Sequence, residues 1–450
     1  MRNPTPKKYQ SANGARTEET AWYFTISRLF ANPLVLQSVG VLAMRVGGAA
    51  ITYLILILLA RWMGPVELGS FVFGLSIATV LSFVSTLGFA AICTRFISQY
   101  AATGRWAKVK GFVRTGNFVI AVSSLVVTLG AILAIWGFDL RGKYGFYPLL
   151  VACAGIPVLA FGQFYQQVAR ARFLVYLAYF PQFFLRQVLF LLALSIAFLM
   201  EVPISALFAL SLMMSTVLVA TVIQGVRVTS GLAAETRDHK AEYERALWVR
   251  TALPMMMNIG IRGNFPAINV AIAGVFMRPE VVAIYNSSYK TAEILSIVIY
   301  AVGAAYGPYL SKLIATDDFS ALRRLAVRQM HLAFWPTLLG ALMLVLFGEF
   351  ILTLFGAEFA EGYTVLLILC LAPLARAFFG PSAICLFLGG HERPCLAAFA
   401  MGLFFTIALN IVLVPLYGMI GGAVSALAGT LLWSIWLYAL VRRRMGIDTS

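Results

Sequence analysis

The stretch VLQSVGVLAMRVGGAAITYLILILLA, Val35 to Ala60, decides the fold, because it is long and apolar enough to cross a lipid bilayer as one helix. Arg45 lies near its middle, and a guanidinium stays charged in proteins. A charged side chain at this depth faces the interior of a helix bundle or a water-filled cavity. The stretch therefore predicts a membrane protein whose interior holds a positive charge.

The composition of the whole chain agrees with this prediction. Of its 450 residues, 61% are hydrophobic and 12% are charged, against about 25% charged residues in soluble domains. The net charge of +16 lies in short loops between apolar runs, so it indicates membrane topology and not nucleic-acid binding. The histidines and cysteines form no ligand cluster, and no G-x-x-x-x-G-K-[ST] motif is present. We expect no metal, no cofactor and no enzymatic activity.

Apolar segments of about 20 residues give twelve candidate membrane spans. They start near Leu34, Glu67, Gly111, Tyr147, Phe173, Val202, Leu247, Val281, Gln329, Tyr363, Pro394 and Gly418. Lysine and arginine crowd the loops on one side, whereas the other side holds only Arg61, Arg141, Lys143 and Arg278. Positive charge marks the cytoplasmic side, so we expect both termini in the cytoplasm.

The chain divides into two halves that carry a related motif. We expect a cytoplasmic N-terminal segment (1–33), a six-helix bundle (34–225), a cytoplasmic linker (226–246), a second six-helix bundle (247–441) and a cytoplasmic tail (442–450). MGPVELGSF (Met63–Phe71) and MRPEVVAIY (Met277–Tyr285) both follow the first span of a half, and both fit M-x-P-x-x-x-small-x-aromatic. Because six crossings are an even number, the halves are predicted to be parallel repeats, and transporters place substrates between such halves.

The motif regions resemble the multidrug/oligosaccharidyl-lipid/polysaccharide (MOP) exporter superfamily, in particular the bacterial Wzx-type polysaccharide flippases. The similar segments are Leu58–Tyr100, Gly274–Val298, Leu354–Leu369 and the ending GMIGGAVSALAGTLLWSIWLYALVRRRMG. The resemblance implies transport by alternating access of undecaprenyl-pyrophosphate-linked oligosaccharide, such as O-antigen or exopolysaccharide repeat units, from the cytoplasmic to the periplasmic leaflet. It also implies a bacterial inner (plasma) membrane as the location, the bilayer as partner, and the polymerase and other polysaccharide-assembly proteins as candidate partners. One departure is Asn269, where members of the superfamily often carry an acidic residue.

Basic residues outnumber acidic ones inside the predicted spans. The basic ones are Arg45, Arg186, Arg262, Lys290 and Arg376, and the clear acidic one is Glu293. Since mutual pairing cannot neutralise this excess, we predict an anionic substrate as the missing partner. Aligning Met63 with Met277 offsets the halves by 214 positions and brings Arg262 within one helical turn of the position equivalent to Arg45. Arginine suits a pyrophosphate because its planar fork donates two parallel hydrogen bonds.

Each of these residues also has a structural interpretation. Arg45 and Arg262 lie beside glycines whose carbonyls they could cap, and Arg376 follows Pro373, which breaks a helix hydrogen bond. Arg186 could extend toward the membrane surface. We predict that Arg45, Arg262, Arg376 and Arg186 bind the pyrophosphate, and the structural interpretation remains the alternative for each.

Lys290 and Glu293, three residues apart, are either a candidate ion-coupling site or a structural ion pair on one helix face. Two other functions stay open at this point. A cation-coupled multidrug and toxin extrusion antiporter would need acidic cavity residues, of which the chain has few. A membrane polysaccharide polymerase or ligase would need a long periplasmic loop, and the longest predicted outer loop, residues 137–147, is short.

Overall fold

The computed structural model describes residues 33–137, 140–316 and 318–445. Within these ranges every regular element is a helix, which confirms the predicted all-α, polytopic fold. The predicted N-terminal segment, apart from residue 33, and the end of the predicted tail lie outside the described residues.

The first half of the chain folds into helices that run almost without loops. They are α1 (Pro33–Ser85), α2 (Phe89–Ala102), α3 (Trp106–Gly137), α4 (Leu140–Tyr144), α5 (Phe146–Ala154), α6 (Ile156–Ala171), α7 (Val175–Tyr179), a π-helical turn (Phe180–Leu185), α8 (Arg186–Leu199) and α9 (Ala206–Thr236).

The second half follows after a short non-helical connection. Its elements are α10 (Arg245–Phe276), α11 (Pro279–Glu293), α12 (Ser296–Ala315), α13 (Phe319–Thr353), a 3-10 turn (Ala357–Gly362), α14 (Tyr363–Phe378), α15 (Ser382–Leu388) and α16 (Glu392–Met445).

Nine helical stretches of the described chain are long and apolar enough to cross a membrane. Two of them, Ala43–Ser85 and Glu392–Arg444, have 43 and 53 residues, and a helix rises about 1.5 Å per residue, so each has the length of two crossings of a 30 Å core. Both contain a backbone break, at Gly64 (φ 75°) and at Gly418 (φ 56°). The arrangement is compatible with twelve crossings, and the count of twelve stays a prediction.

The two copies of the repeated motif lie at the same kind of break and contact each other. Pro65 follows the break at Gly64, and Pro279 is the first residue of α11; proline fits a helix start because the missing N–H has no partner there. A Cβ on Gly69 would lie 1.8 Å from the Pro279 carbonyl oxygen. Gly69, the small residue of the first motif, therefore lets the backbone of the second motif approach.

The connection between the halves packs on the first half. Helix α9 runs to Thr236, so the first part of the predicted linker is helical. The rest docks on the start of α3: Glu242 N donates to Ala107 O at 3.0 Å, and Lys110 Nζ donates to the carbonyls of Thr236 and His239 at 2.9 Å. We call this side of the molecule the linker face.

On the opposite face, side chains of the first half bind backbone carbonyls of the second. Arg61 Nε donates to Leu354 O at 2.7 Å, and Lys143 Nζ donates to Val275 O at 2.9 Å. Tyr144, stacked on Phe73, donates to Met277 O at 2.9 Å. The halves are therefore joined on this face by directional bonds.

Candidate functional site

A cavity of about 730 Å³ lies in the second half, at its boundary with α1 of the first half. Helices α10 to α16 supply nearly all of its lining, and α1 contributes Arg45. Helix α13 begins on the linker side, because α11 and α12 run there from the opposite face, and its lining residues Gln329, Met330 and Ala333 are all in its first half. The cavity is thus on the side away from the bonds that join the halves.

Three charged side chains line this cavity: Arg45, Glu293 and Arg376. Glu293 Oε2 accepts a hydrogen bond from Lys290 Nζ at 2.8 Å, so the two residues form an ion pair on one helix face, and ion coupling by this pair stays a prediction. Among the described residues, neither arginine forms an ion pair with a carboxylate. The charge left over in the lining is therefore positive and comes from one arginine of each half.

Arg45 is held by aromatic rings of the π-helical turn and its neighbourhood. Its guanidinium carbon lies 5.1 Å from the ring centroid of Tyr179 and 5.4 Å from that of Phe183, within cation–π range. The turn comes this close because Gly48 has no side chain: a Cβ there would lie 2.0 Å from Phe183 O. The Gly48 carbonyl accepts a bond from Thr52 Oγ1 at 2.7 Å, so it has a partner other than Arg45.

Arg376 has a similar environment in the second half. It lies on α14 one turn after the buried Pro373, with its guanidinium carbon 5.6 Å from the ring centroid of Tyr300. Tyr300 is 53% exposed and also lines the cavity. Each arginine is thus backed by a tyrosine, which orients the guanidinium without neutralising it.

Polar and aromatic groups complete the lining. Gln329 is 5% exposed, and its Oε1 has no hydrogen-bond partner among the described residues. Ser434 lies in the lining beside Trp433, and Tyr289 lines the wall near Glu293. Buried polar atoms are usually hydrogen-bonded, so Gln329 Oε1 can accept a hydrogen bond from a ligand, and sugar hydroxyl groups are suitable donors.

The remaining sequence-predicted residues are placed differently. The backbone of Arg262 is in α10 next to the lining residue Gly263, and its side chain is outside the described part of the chain. Arg186 begins α8 and is absent from the described cavity lining; its Nε is buried without a hydrogen-bond partner. Lys290 contacts the cavity only through Glu293.

Sequence reasoning did not single out Tyr179, Phe183, Tyr300 or Gln329. The signal for the first two is the aromatic run in VYLAYFPQFFL, Val175 to Leu185. This run is equally compatible with lipid-facing side chains. The distances from the Arg45 guanidinium show that the rings of Tyr179 and Phe183 turn toward it.

Comparison with known proteins assigns the family. The family model described as polysaccharide biosynthesis protein matches residues 35–314. The chain belongs to this family. A probable flippase, AglR of Haloferax volcanii, is 26% identical over 178 residues, which are 39% of the present chain and 37% of that protein. The match thus spans well under half of the relative's length.

Solved structures share the fold of this chain. An inward-facing multidrug resistance MATE family transporter of the MOP superfamily has a TM-score of 0.72 at 14% identity, covering 90% of this chain and 98% of that one. The lipid II flippase MurJ in an inward closed conformation has a TM-score of 0.69 at 11% identity, covering 91% and 87%. The predicted resemblance to the MOP superfamily is confirmed, and these relatives are transporters and flippases, not enzymes.

Proposed function

We propose that the protein is a flippase that moves a polyprenyl-diphosphate-linked oligosaccharide across the bilayer by alternating access. The observation that carries the proposal is the pair Arg45 and Arg376, one from each half, in a single cavity without carboxylate partners among the described residues. The diphosphate is the anion that these guanidinium groups bind, and the polyprenyl tail stays in lipid. The family match and the flippase relative support this assignment.

The cavity lining suits a sugar as well as a phosphate. Exposed Tyr300 offers a ring face, and Gln329 offers an unpartnered acceptor. Aromatic rings with a few placed polar groups are the usual lining of small-molecule sites. We therefore assign the glycan to the wall built by the second half, with the diphosphate between the arginines.

We further propose the bacterial inner membrane as the location, with both termini cytoplasmic and movement from the cytoplasmic to the periplasmic leaflet. The charge distribution of the loops supports this orientation. More specifically, we propose that the substrate is an undecaprenyl-pyrophosphate-linked O-antigen or exopolysaccharide repeat unit. Polysaccharide-assembly proteins such as the polymerase act on it after transport.

The membrane potential favours this direction of transport. An inside-negative potential of about 100 mV favours outward movement of negative charge by about 2.3 kcal/mol per charge, hence about 4.6 kcal/mol for a dianionic diphosphate. In proteoliposomes we expect a potassium diffusion potential of this sign to accelerate flipping, and a reversed potential to slow it.

Binding measurements on purified protein test the proposal. Arg45→Gln and Arg376→Gln each remove one set of charge-assisted hydrogen bonds, so the affinity for a polyprenyl diphosphate should fall about 10- to 100-fold. Arg278→Gln is the matched control, because Arg278 is paired with Glu280 and its side chain is 79% exposed. Unchanged affinity in both cavity variants would refute diphosphate binding at this site.

The same experiment separates the alternative transporter. A multidrug antiporter of the MATE type would bind cationic dyes, and removing positive charge from its cavity would strengthen that binding. For the flippase, we expect that neither Arg45→Gln nor Arg376→Gln strengthens the binding of cationic dyes. Dye binding tighter than diphosphate binding would overturn the flippase assignment in favour of the antiporter.

The role of the pair Lys290–Glu293 requires a separate test. Removing one partner leaves the other charge unpaired, whereas the double variant Lys290→Gln/Glu293→Gln removes both. If the pair is structural, the double variant transports better than Glu293→Gln alone. If Glu293 couples an ion, both variants lose dependence on the cation gradient to the same extent.

A further inference from the structure

A second arginine lies against the same ring that holds Arg45. Arg170, near the end of α6, has its guanidinium carbon 6.0 Å from the ring centroid of Tyr179, and that of Arg45 is 5.1 Å from it. The two positive charges are therefore within about 11 Å of each other and share one aromatic neighbour. Arg170 does not line the cavity as described, so it lies outside the site assigned above.

The charge of Arg170 is not compensated by the described part of the protein. Its one hydrogen bond there goes from Nη1 to the neutral amide oxygen of Gln167 at 3.1 Å, and the residue is exposed. Arg172, two residues later, is different because it forms an ion pair with Glu235. Of these two neighbouring arginines, only Arg170 is left for an external anion.

Arg170 lies one residue before the end of Phe146–Ala171, a helical stretch long and apolar enough to cross a membrane. The turn after it exposes Phe173 at 81%, and the following helix α7 exposes Tyr176 at 54%. Apolar and amphipathic side chains next to an arginine are typical of the lipid headgroup level. The turn is on the linker face, because Arg172 is paired with Glu235 at the end of α9. Arg170 is thus at the level where a lipid-linked diphosphate lies before it reaches the cavity.

We propose that Arg170, Tyr179 and Arg45 form a two-stage diphosphate site, in which Arg170 captures the headgroup at the membrane surface and Arg45 binds it in the cavity. Tyr179 is a positioning residue that holds both guanidinium groups against one ring. The proposal rests on the flippase function and adds a capture site to it. A capture residue raises the association rate, because positive charge at the mouth attracts the anion before docking.

Association and dissociation kinetics in nanodiscs test the capture site. The protein is placed in zwitterionic lipid, and a polyprenyl diphosphate is the probe. We expect Arg170→Gln to lower the association rate constant about 10-fold with little change in dissociation, and Arg45→Gln to raise the dissociation rate constant about 10-fold or more. Arg172→Gln removes the same charge from the same turn, and its association rate should stay within twofold of the wild type.

Two variants of Tyr179 check the positioning role. Tyr179→Phe keeps the ring and should keep wild-type kinetics. Tyr179→Leu removes the ring and should lower association and accelerate dissociation together, since both guanidinium groups lose their support. A wild-type association rate in Arg170→Gln, or an equal loss in Arg172→Gln, overturns the capture site.

Two further probes distinguish the sources of the phosphate. Inorganic pyrophosphate should compete with the polyprenyl diphosphate in the wild type and more weakly in Arg170→Gln. If anionic phospholipid in the nanodisc abolishes the difference between the two proteins, the site binds phospholipid headgroups and the inference is wrong. If instead Arg45→Gln and Arg376→Gln both bind the diphosphate like the wild type, the proposed function itself fails, and the two failures are thereby distinguished.

Discussion

Substitution of Tyr144 should directly shift the equilibrium between the conformation open on the linker face and the conformation open on the opposite face. Its hydroxyl donates to the carbonyl oxygens of Gly274 and Met277, and its ring stacks on Phe73 at a centroid distance of 3.9 Å. These bonds join the first half to the second on the face opposite the cavity. Opening of that face during alternating access must break them.

Tyr144→Phe removes the one hydroxyl proton that these two carbonyls share and keeps the ring. A net intramolecular hydrogen bond contributes about 0.5–1.5 kcal/mol, so its loss should shift the equilibrium between the faces by about 0.5–1.5 kcal/mol. That corresponds to about a 2- to 13-fold larger population open on this face. Lys143 still donates to the Gly274 carbonyl at 3.3 Å, which places the expected shift toward the lower end of the range.

A cysteine reporter measures this shift. Thr291 is fully buried and its hydroxyl is 2.8 Å from the Tyr53 hydroxyl across the two halves, so Thr291→Cys should react with a membrane-impermeant maleimide from this face only when the halves part. The five native cysteines are buried and should give a low background. Tyr144→Phe should speed labelling at least about twofold. Tyr147→Phe, at an exposed position nearby, is the control.

An unchanged labelling rate in Tyr144→Phe would refute the assignment of these bonds as a lock. An equal increase in Tyr147→Phe would also refute it, because the effect would then not depend on the hydrogen bonds between the halves.

Two other predictions concern stability. Hydrogen bonds from Lys108 Nζ and from the Tyr100 hydroxyl hold the pKa of Glu244 below its usual value of 4.5. The ionised carboxylate therefore stabilises the fold at neutral pH. This contribution to stability disappears as pH falls below about 4.5. Glu244→Gln should lower the stability by up to about 1 kcal/mol at pH 7 and by less at pH 4, measured as melting temperatures, and a difference that grows on acidification would contradict this. Gly48→Ala should destabilise the protein by about 1–3 kcal/mol, because its Cβ would overlap a backbone oxygen of the π-helical turn. Gly47→Ala makes ordinary contacts at 3.8 Å and should be tolerated. Equal melting temperatures of the two variants would show that the turn moves to accommodate the added Cβ.

The sequence was sufficient for features that depend on depth and local spacing. Apolar run lengths predicted the helical fold, and the three-residue spacing of Lys290 and Glu293 predicted that both side chains lie on one helix face, where they form an ion pair. Side chains three residues apart lie on one helix face whatever the tertiary structure. The motif match also predicted corresponding breaks in the two halves, at which Gly69 now contacts Pro279.

Features that depend on helix rotation and on distant contacts could not be predicted. Hydropathy gives the depth of a residue and not its direction around the helix axis, so Arg45 and Arg186 looked alike although only Arg45 lines the described cavity. The approach of Arg45 to Tyr179 requires the π-helical turn, and a π-turn has no clear sequence signature. These contacts arise from packing between helices far apart in the chain.

The lining of the cavity is less symmetric than the repeat that builds it. Repeat symmetry related Arg45 to Arg262, yet the described lining combines Arg45 with Arg376, and the second half supplies nearly all of the remaining wall. A substrate with a lipid tail, a diphosphate and a glycan is itself asymmetric, so one half can contribute the sugar surface while the other contributes a charge. A diphosphate that bridges Arg45 and Arg376 stabilises only the arrangement in which both arginines line one cavity, and a ligand shifts a conformational equilibrium only by its differential affinity. A movement of the halves that separates Arg45 from Arg376 would divide the diphosphate site and weaken binding. Release of the substrate would then depend on the conformational change, through the same two contacts that bind it.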